Sequence, residues 1–366
     1  MKVLFYSKGL VNPRGGAQTA ARKQFEAILD IEKDKNIQLY AITDYSSGKI
    51  KGNNVFPIFP YIFKFIIFSF ILENYLFTYF LERRLQNKFD LIHIHAYGFN
   101  YPIYKHNNAI LTFHDELFYR GPKITFSILI MIEKIYYYCN YLIRINNIQY
   151  YCNFQSLSIQ ITNQLKSIIE NPAIYEIPNG RSSSLPFPKY NNKRIKTENI
   201  KIILSVGPLE DRKGITDLIS IDHILPNSYK IVVIGKLAPI WGNHYFLKIS
   251  KSNITYLGFV SEKFKSFLYQ NVDLVLSLSK SEASQLSIIE ALEYKTNVLM
   301  TNTGSNQFLN KLLKIPSGKS NKFIAKLITN YLNDPKTKIR NVIKINYPDW
   351  STIANSIASI YQNLMS

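Results

Sequence analysis

A chain of 366 residues, 46% of them hydrophobic, is too long for one ordinary domain and comfortable for two, each large enough to bury a core. Its 44 Lys and Arg against 25 Asp and Glu give a formal charge of +19, spread along the chain rather than gathered in a tail, which calls for an acidic partner such as phosphorylated substrates, anionic lipid or nucleic acid. Only Cys139 and Cys152 occur, without metal spacing and in apolar or aromatic surroundings, which excludes a disulfide scaffold and predicts buried thiols in a reducing compartment.

The amino terminus, M-K-V-L-F-Y-S, reads as a short strand and lacks the apolar region and cleavage site of a signal peptide, so the expected location is the cytoplasm. After it comes G-L-V-N-P-R-G-G-A-Q, where Gly15 and Gly16 allow close approach of backbone to a ligand before a helix beginning near Ala17. This is not the dinucleotide G-x-G-x-x-G pattern, and a nicotinamide enzyme is disfavoured. Further strands are predicted at Ile37 to Thr43, Leu91 to His95 and Ala109 to Phe113. Between them the apolar stretch Phe56 to Leu81 is broken by Pro57, Pro60, Lys64 and Glu73, short of the roughly 20 apolar residues of a membrane span. It predicts a helix that either faces the core or rests its aromatic side on a bilayer surface, helped by Arg83, Arg84 and Lys88. His93 and His95 share a strand face, but without a third ligand at convincing spacing no metal site is expected.

From Pro186 to Glu198 the chain turns polar and basic without a period, which marks the domain boundary. A second alternation follows, with strands at Ile202 to Val206, Ile231 to Ile234, Ile254 to Leu257, Leu274 to Leu278 and Asn297 to Thr301. Strands alternating with helices twice over predict an α/β fold of two Rossmann-like domains facing across a cleft, with ligands beyond the carboxyl ends of the strands. The expected division is 1–190 for an N-terminal Rossmann-like domain, 191–345 for a C-terminal Rossmann-like domain, and 346–366 for a helix packing back toward the first.

The most informative stretch is E-A-S-Q-L-S-I-I-E, where Glu282 and Glu290 stand across a loop-to-helix junction. A helix start offers unpaired N–H groups and a positive dipole end to a phosphate. Taken alone, Ser287 to Glu290 is also a capping box, in which Glu290 only secures the helix end.

Together with Gly15-Gly16, His114-Asp115, Pro178-Asn179-Gly180, V-G-P-L-E-D-R-K-G at Val206 to Gly214, L-G-F-V at Leu257 to Val260 and the terminal Y-P-D-W-S-T-I-A-N-S-I-A-S-I-Y-Q, this E-x7-E stretch resembles family 4 of the retaining glycosyltransferases, which have the GT-B fold. The resemblance covers almost the whole chain and keeps the family's order. It implies that Glu290 binds ribose hydroxyls, Glu282 contacts the donated sugar, and Lys213 neutralises the diphosphate. Leu286 with Ser284 and Gln285 would offer backbone to the phosphate, Phe259 and Val260 would border the base, His114 would lie near the transferred sugar, and Gly16 beside Gly15 would approach the diphosphate.

Ala283, Ser284 and Gln285 replace the family's usual glycine, aromatic and glycine. Pro208 stands where many members carry a second basic residue, leaving Arg212 or Arg181 as substitutes, and Lys295 stands where glycine is usual. The implied activity is retaining, metal-independent and cofactor-free transfer of a hexose from a nucleotide diphosphate sugar to a hydroxyl of a glycan or polyprenyl-diphosphate-linked acceptor, in capsule, O-antigen or exopolysaccharide synthesis. An anionic membrane surface on the inner face of the cell membrane is the expected further partner, and nucleic acid is not. A non-catalytic basic membrane- or nucleic-acid-binding protein, or another GT-B enzyme such as a sugar epimerase, is the alternative.

Overall fold

The structure, a computed structural model, describes residues 1–13, 15–43, 48–57, 79, 88–96, 108–114, 118, 121, 128–182, 200–238, 241–304, 308–309, 312, 314–334 and 347–366. Nearly all of the apolar stretch 56–81, the basic boundary 186–198 and Asp115 lie outside the described residues. The strands are β1 (Lys2–Ser7), β2 (Gln38–Thr43), β3 (Gly48–Ile50), β4 (Asn53–Pro57), β5 (Leu91–Ala96), β6 (Ala109–Phe113), β7 (Asn153–Ser156), β8 (Ala173–Glu176), β9 (Lys201–Val206), β10 (Tyr229–Ile234), β11 (Thr255–Tyr256), β12 (Leu274–Ser277), β13 (Val298–Thr301) and β14 (Lys314–Ile315). The helices are α1 (Gly16–Asp30), α2 (Ile128–Ile148), α3 (Ile159–Lys166), α4 (Ile215–Asp222), α5 (Gly242–Ile249), α6 (Glu262–Asn271), α7 (Leu286–Glu293), α8 (Asn321–Asn333) and α9 (Trp350–Met365), with a 3-10 turn at Asp211–Lys213.

The chain forms two compact units, Met1–Tyr119 with Cys139–Ser183 and Tyr347–Ser366, and Arg120–Tyr138 with Ser184–Asn346. The first holds one sheet in the order β3-β4-β2-β1-β5-β6-β7-β8, parallel except for the β3–β4 hairpin. Val3, Leu4, Phe5 and Tyr6 of β1 are all buried, as a central strand covered on both faces requires. Ala21, Phe25 and Ile28 line the buried stripe of α1, and Ala354, Ile357, Ala358 and Tyr361 that of α9, which packs on α1. Burial of an Ile or Phe side chain of this kind contributes about 1.5–3 kcal/mol.

The second unit holds a six-stranded sheet in the order β11-β10-β9-β12-β13-β14, every pair parallel. Counted within the unit, this is the 3-2-1-4-5-6 Rossmann order, and the reversal falls between β9 and β12. The loops leaving those two strands lie on either side of that reversal, at the carboxyl ends where ligands of such sheets bind. Those loops carry Lys213 and Glu282.

The compact units differ from the linear division 1–190 and 191–345 in where the first ends, at Ser183, and in an excursion of the chain before it. Residues 120–138 group with the second unit, because Glu133 and Tyr137 of α2 bond to the loop after β9. The last helix belongs to the first unit. Its entry is fixed at the Pro178-Asn179-Gly180 turn: Arg181 N–H donates to Pro348 O, Arg181 Nε donates to Tyr347 O at 2.8 Å, and Asp349 caps α9 by accepting from Thr352 N–H at 2.8 Å. The Arg181 guanidinium thus donates to backbone at two points, Tyr347 O and Ser182 O. The thiols also differ from expectation: Cys152 is exposed and Cys139 is half-buried. Cys152 directly precedes β7, between the buried Tyr151 and Asn153, and points away from the core they face.

Candidate active site

The loop after β9 runs from Gly207 into the turn Asp211–Lys213 and ends at Gly214, which takes a left-handed φ of 73° before α4. A Cβ on Gly214 would lie 2.2 Å from Leu278 O, so this close approach of the two loops requires glycine. The loops are also stitched by hydrogen bonds: Lys280 N–H donates to Arg212 O at 2.8 Å, and Lys280 Nζ to Asp211 Oδ1 at 2.6 Å. The loop after β12 is held from the other side by Gly304, where a Cβ would meet Glu282 Cβ at 2.7 Å.

Glu282 is 8% exposed and fully engaged. Its Oε1 accepts from Lys213 Nζ and from Ser279 Oγ at 2.8 Å, and its Oε2 lies 3.5 Å from Arg212 Nη1. Burial pushes the carboxyl up, but Lys213 and Arg212 outweigh it and hold Glu282 below the usual carboxylate range. Arg212 is shared: Nη2 donates to Glu210 Oε1 at 2.7 Å and Nη1 to Ser281 O at 3.2 Å. The two cations therefore stand at the switch point already matched by two carboxylates, and an anionic ligand reaches them only by exchange.

Glu290 belongs to a second cluster. Lys265 Nζ donates to its Oε1 at 3.2 Å and Tyr269 hydroxyl to its Oε2 at 2.9 Å. Lys265 and Tyr269 lie one turn apart on α6. The capping-box reading of Ser287 to Glu290 is overturned: the N-cap of α7 is Gln285, without a side-chain cap bond, and the Glu290 carboxylate is drawn to α6 by a cation. Burial lowers the Lys265 affinity for its proton, yet Glu290 and Glu262 together raise it above the ordinary lysine value, so the ammonium stays charged.

Between the two glutamates, Gln285 is 2% exposed and anchors the loop through Nε2, which donates to Thr303 O at 2.6 Å and Thr301 O at 3.2 Å. Its Oε1 and the Oγ of Ser284 have no hydrogen-bond partner among the described residues. Leu286 N–H donates to Ser284 O at 3.2 Å. Beyond the end of β11, Phe259 presents an exposed ring with Lys236 Nζ 5.0 Å from its centroid, and Val260 is half-buried.

In the first unit, Gly15 precedes α1 in extended backbone with open space at its missing Cβ, and α1 begins at Gly16. Neither φ nor packing demands glycine at position 15. The His114 ring bonds to His95, Nε2 to Nδ1, at 2.8 Å, and its N–H donates to Ala96 O. His95 and His93 are buried, and His93 is held by Tyr361 at 2.5 Å and Thr112 at 2.6 Å.

Lys213, Arg212 and Glu282 thus form one ion cluster, with Ser284 and Gln285 following Glu282 in its loop and Leu286 opening α7, while Glu290 is partnered separately. Sequence reasoning missed Ser279, Glu210, Lys265 and Tyr269. The spacing of Lys265 and Tyr269 places them on one face of α6, but nothing local in the sequence points that face at Glu290.

The two parallel sheets define the GT-B fold, and the likeness to solved structures runs over the whole chain. Sucrose-phosphate synthase from Thermosynechococcus elongatus matches with a TM-score of 0.75 at 16% identity, over 100% of this chain and 99% of that one. WaaG, a glycosyltransferase involved in lipopolysaccharide biosynthesis, matches with 0.68 at 14% over 98% and 99%, and Anabaena HepE in complex with UDP and glucose with 0.67 at 14% over 99% and 100%. Residues 187–349 match the family described as glycosyl transferases group 1. Over 152 residues the chain is 28% identical to the processive diacylglycerol alpha-glucosyltransferase of Acholeplasma laidlawii, covering 40% of this chain and 46% of the relative, so the match spans about half the length of that protein.

Proposed function

We propose that the protein is a retaining, metal-independent glycosyltransferase that moves a hexose from a nucleotide diphosphate sugar to a hydroxyl of a lipid-linked glycan acceptor in bacterial surface polysaccharide synthesis. The observation that carries this reading is the Glu282–Lys213–Arg212 cluster at the switch point of the Rossmann sheet, within the stretch matching glycosyl transferases group 1. A nucleotide sugar donor is supported by HepE, whose structures hold UDP, glucose and UDP-glucose. The lipid-linked acceptor is supported by the names of the two relatives that act on diacylglycerol and in lipopolysaccharide biosynthesis.

In this reading the donor's diphosphate takes Lys213 from Glu282. The ammonium then stabilises the departing charge, and the released carboxylate accepts hydrogen bonds from sugar hydroxyls. Glu290, steadied by Lys265 and Tyr269, accepts from the ribose, and Phe259 borders the base. The acceptor hydroxyl attacks on the leaving-group face through an oxocarbenium-like state, its proton passing to the departing phosphate. No metal is called for where preorganised cations carry that charge.

Contact with an anionic membrane surface is supported by the charge of +19 and by α2, which exposes Ile128, Met131, Ile135, Tyr138 and Leu142. No helix among the described residues is long and apolar enough to cross a membrane. The test is to incubate the protein with a panel of nucleotide sugars and follow nucleoside diphosphate release by wild type, Glu282→Ala and Lys213→Ala. Release by wild type and its loss in both variants supports the reading; no release with any donor, or equal release by all three, sinks it. Flotation with anionic and neutral liposomes, comparing wild type with Ile135→Asp, tests the membrane partner.

A further inference from the structure

Glu133 and Tyr137 lie one turn apart on the buried face of α2, in the part of that helix that belongs to the second unit. Glu133 is 0% exposed. Asp211 N–H donates to its Oε1 at 3.3 Å, and the buried Tyr245 hydroxyl of α5 to its Oε2 at 2.7 Å. The Tyr137 hydroxyl donates to Glu210 Oε2 at 2.9 Å. Glu210 Oε1 is the oxygen that accepts from Arg212. The helix therefore grips the loop after β9 at residues 210 and 211, directly ahead of its two cations.

Packing alone does not call for this arrangement. A buried carboxyl and a buried phenol cost desolvation that apolar side chains of the same volume would avoid. What they supply is direction. Tyr137 occupies one oxygen of Glu210 and leaves the other to Arg212, so the guanidinium cannot be chelated by both and keeps its second edge toward Glu282. Glu133 fixes the backbone of Asp211, which sets the pitch of the turn carrying Lys213.

We infer that Glu133 and Tyr137 are positioning residues for Arg212 and Lys213, setting where the two cations stand to receive a nucleotide sugar's diphosphate; the inference rests on the glycosyltransferase reading above. Neither touches the donor. Their influence also depends on pH. Burial pushes the Glu133 carboxyl up to about 7, against the Tyr245 hydroxyl and the Asp211 N–H and with the help of Glu210 and Asp211. The groups facing it are Tyr245 from α5, Glu210 and Asp211 from the loop, and Tyr137 from its own helix, with Arg212 behind Glu210 and Lys280 behind Asp211. Its ionisation adds a negative charge behind the cations, so an anionic donor binds less tightly as pH rises through about 7.

The experiment titrates the full chain calorimetrically with UDP-glucose, UDP-galactose, GDP-mannose and ADP-glucose from about pH 6 to about pH 8, a range in which a diphosphate esterified at both ends does not itself titrate. Wild type is expected to lose affinity across that range, while Glu133→Gln, which mimics the neutral acid, holds a constant affinity. Tyr137→Phe, which keeps the ring and removes only the hydroxyl, is expected to raise donor Kd and KM about ten-fold, the size of one lost charge-assisted hydrogen bond, with kcat changed much less. A purely structural role would lower the melting temperature of both variants without moving KM or the pH profile, and that result overturns the inference. If Glu133→Gln fails to fold, Tyr137→Phe decides. Wild type that binds no nucleotide sugar overturns the inference together with the reading beneath it. Wild type that binds, and loses nucleoside diphosphate release in Lys213→Ala, while Tyr137→Phe and Glu133→Gln match it at every pH, overturns the inference alone.

Discussion

The Lys213 ammonium donates to Oε1 of Glu282, so the cation expected to meet a diphosphate is satisfied by the carboxylate expected to meet a sugar. The pair is three-quarters or more buried on both sides, and Arg212 stands 3.5 Å from the second oxygen. Exchange of one partner for another costs far less than creating a bare charge, because neither group is ever left unpaired in a low-dielectric site.

Lys213→Met should therefore act twice. It leaves Glu282 buried with only Arg212 and Ser279, which is expected to cost about 2 kcal/mol in urea unfolding, less than a fully stranded ion because Arg212 remains. Nucleoside diphosphate release should fall roughly 100-fold to 1000-fold, as for loss of one preorganised donor at a developing charge. Adding Glu282→Gln to that variant should recover most of the lost stability and none of the activity. Additive stability losses would contradict the coupling.

Glu290 permits a cleaner separation. Since α7 is capped by neither Ser287 nor Glu290, Glu290→Gln should remove no cap and cost only the charge of the partly buried pair with Lys265, about 1–2 kcal/mol. Donor KM should rise nonetheless, because the amide presents one acceptor where the carboxylate presents two. Thermal unfolding and donor titration on the same sample distinguish this from a capping role, in which stability falls and KM does not move.

How far these features were legible in the sequence depends on what placed them. β1, β5, β6, β9, β10, β12 and β13 announce themselves as apolar runs because both faces of each are covered. β7 does not: N-F-Q-S is polar, and its polar side chains are buried because they are bonded, Asn153 donating to Ala109 O at 3.3 Å and Gln155 donating to Ile177 O at 3.2 Å while accepting from Gln24 at 3.2 Å and from Thr112 at 2.8 Å. Glu282, Lys213 and Glu290 were legible through an ordered set of motifs, but their partners were not. Ser279 is local to Glu282, whereas Lys265 and Tyr269 reach Glu290 across 25 and 21 positions, a pairing fixed only when α6 and α7 settle on the same sheet. Glu133 and Tyr137 lie further still, 78 and 73 positions from the residues they hold.

Lys295 offers a stabilising test. It occupies φ 59° just after α7, where Lys295 N–H donates to Leu292 O and Thr296 N–H to Ala291 O, the paired bonds of a Schellman end. That conformation brings a Cβ close to carbonyl oxygen, and glycine escapes the strain. Lys295→Gly is expected to raise stability by about 1 kcal/mol by urea unfolding, with unchanged donor KM. A destabilised variant would mean that the aliphatic stem of Lys295 contributes more packing than the backbone strain removes.

The buried histidines set the acid limit of the first unit. Burial drives His93 down to about 3, with His114 adding to the shift and Gln155 opposing it, and drives His95 well below its ordinary value, so both rings are neutral in the folded protein. In the unfolded chain they take up protons near pH ~6.5, so between that value and the folded one the unfolded state binds more protons. Stability is then fully present above about 6.5 and falls with decreasing pH, by about 1.4 kcal/mol per unit for each histidine. In the second unit Glu282 adds a loss further down: its depressed carboxyl contributes stability above the unfolded value of about 4.3, lost as pH falls through the folded one. The two contributions separate by variant. His95→Gln, which can still bond Gln24 or His114, should flatten the slope between about pH 6.5 and about pH 5 by one histidine's worth, while Glu282→Gln should leave that window untouched and change only the region below it. Glu133, raised to about 7 in the second unit, keeps its proton when folded and gains stability as pH falls through the same window, offsetting one histidine, so the comparison of variants reads the imidazoles where the wild-type slope alone does not. Urea midpoints measured across both windows decide the matter, and equal slopes for wild type and His95→Gln between about pH 6.5 and about pH 5 would show that the His95 ring is not held neutral by burial.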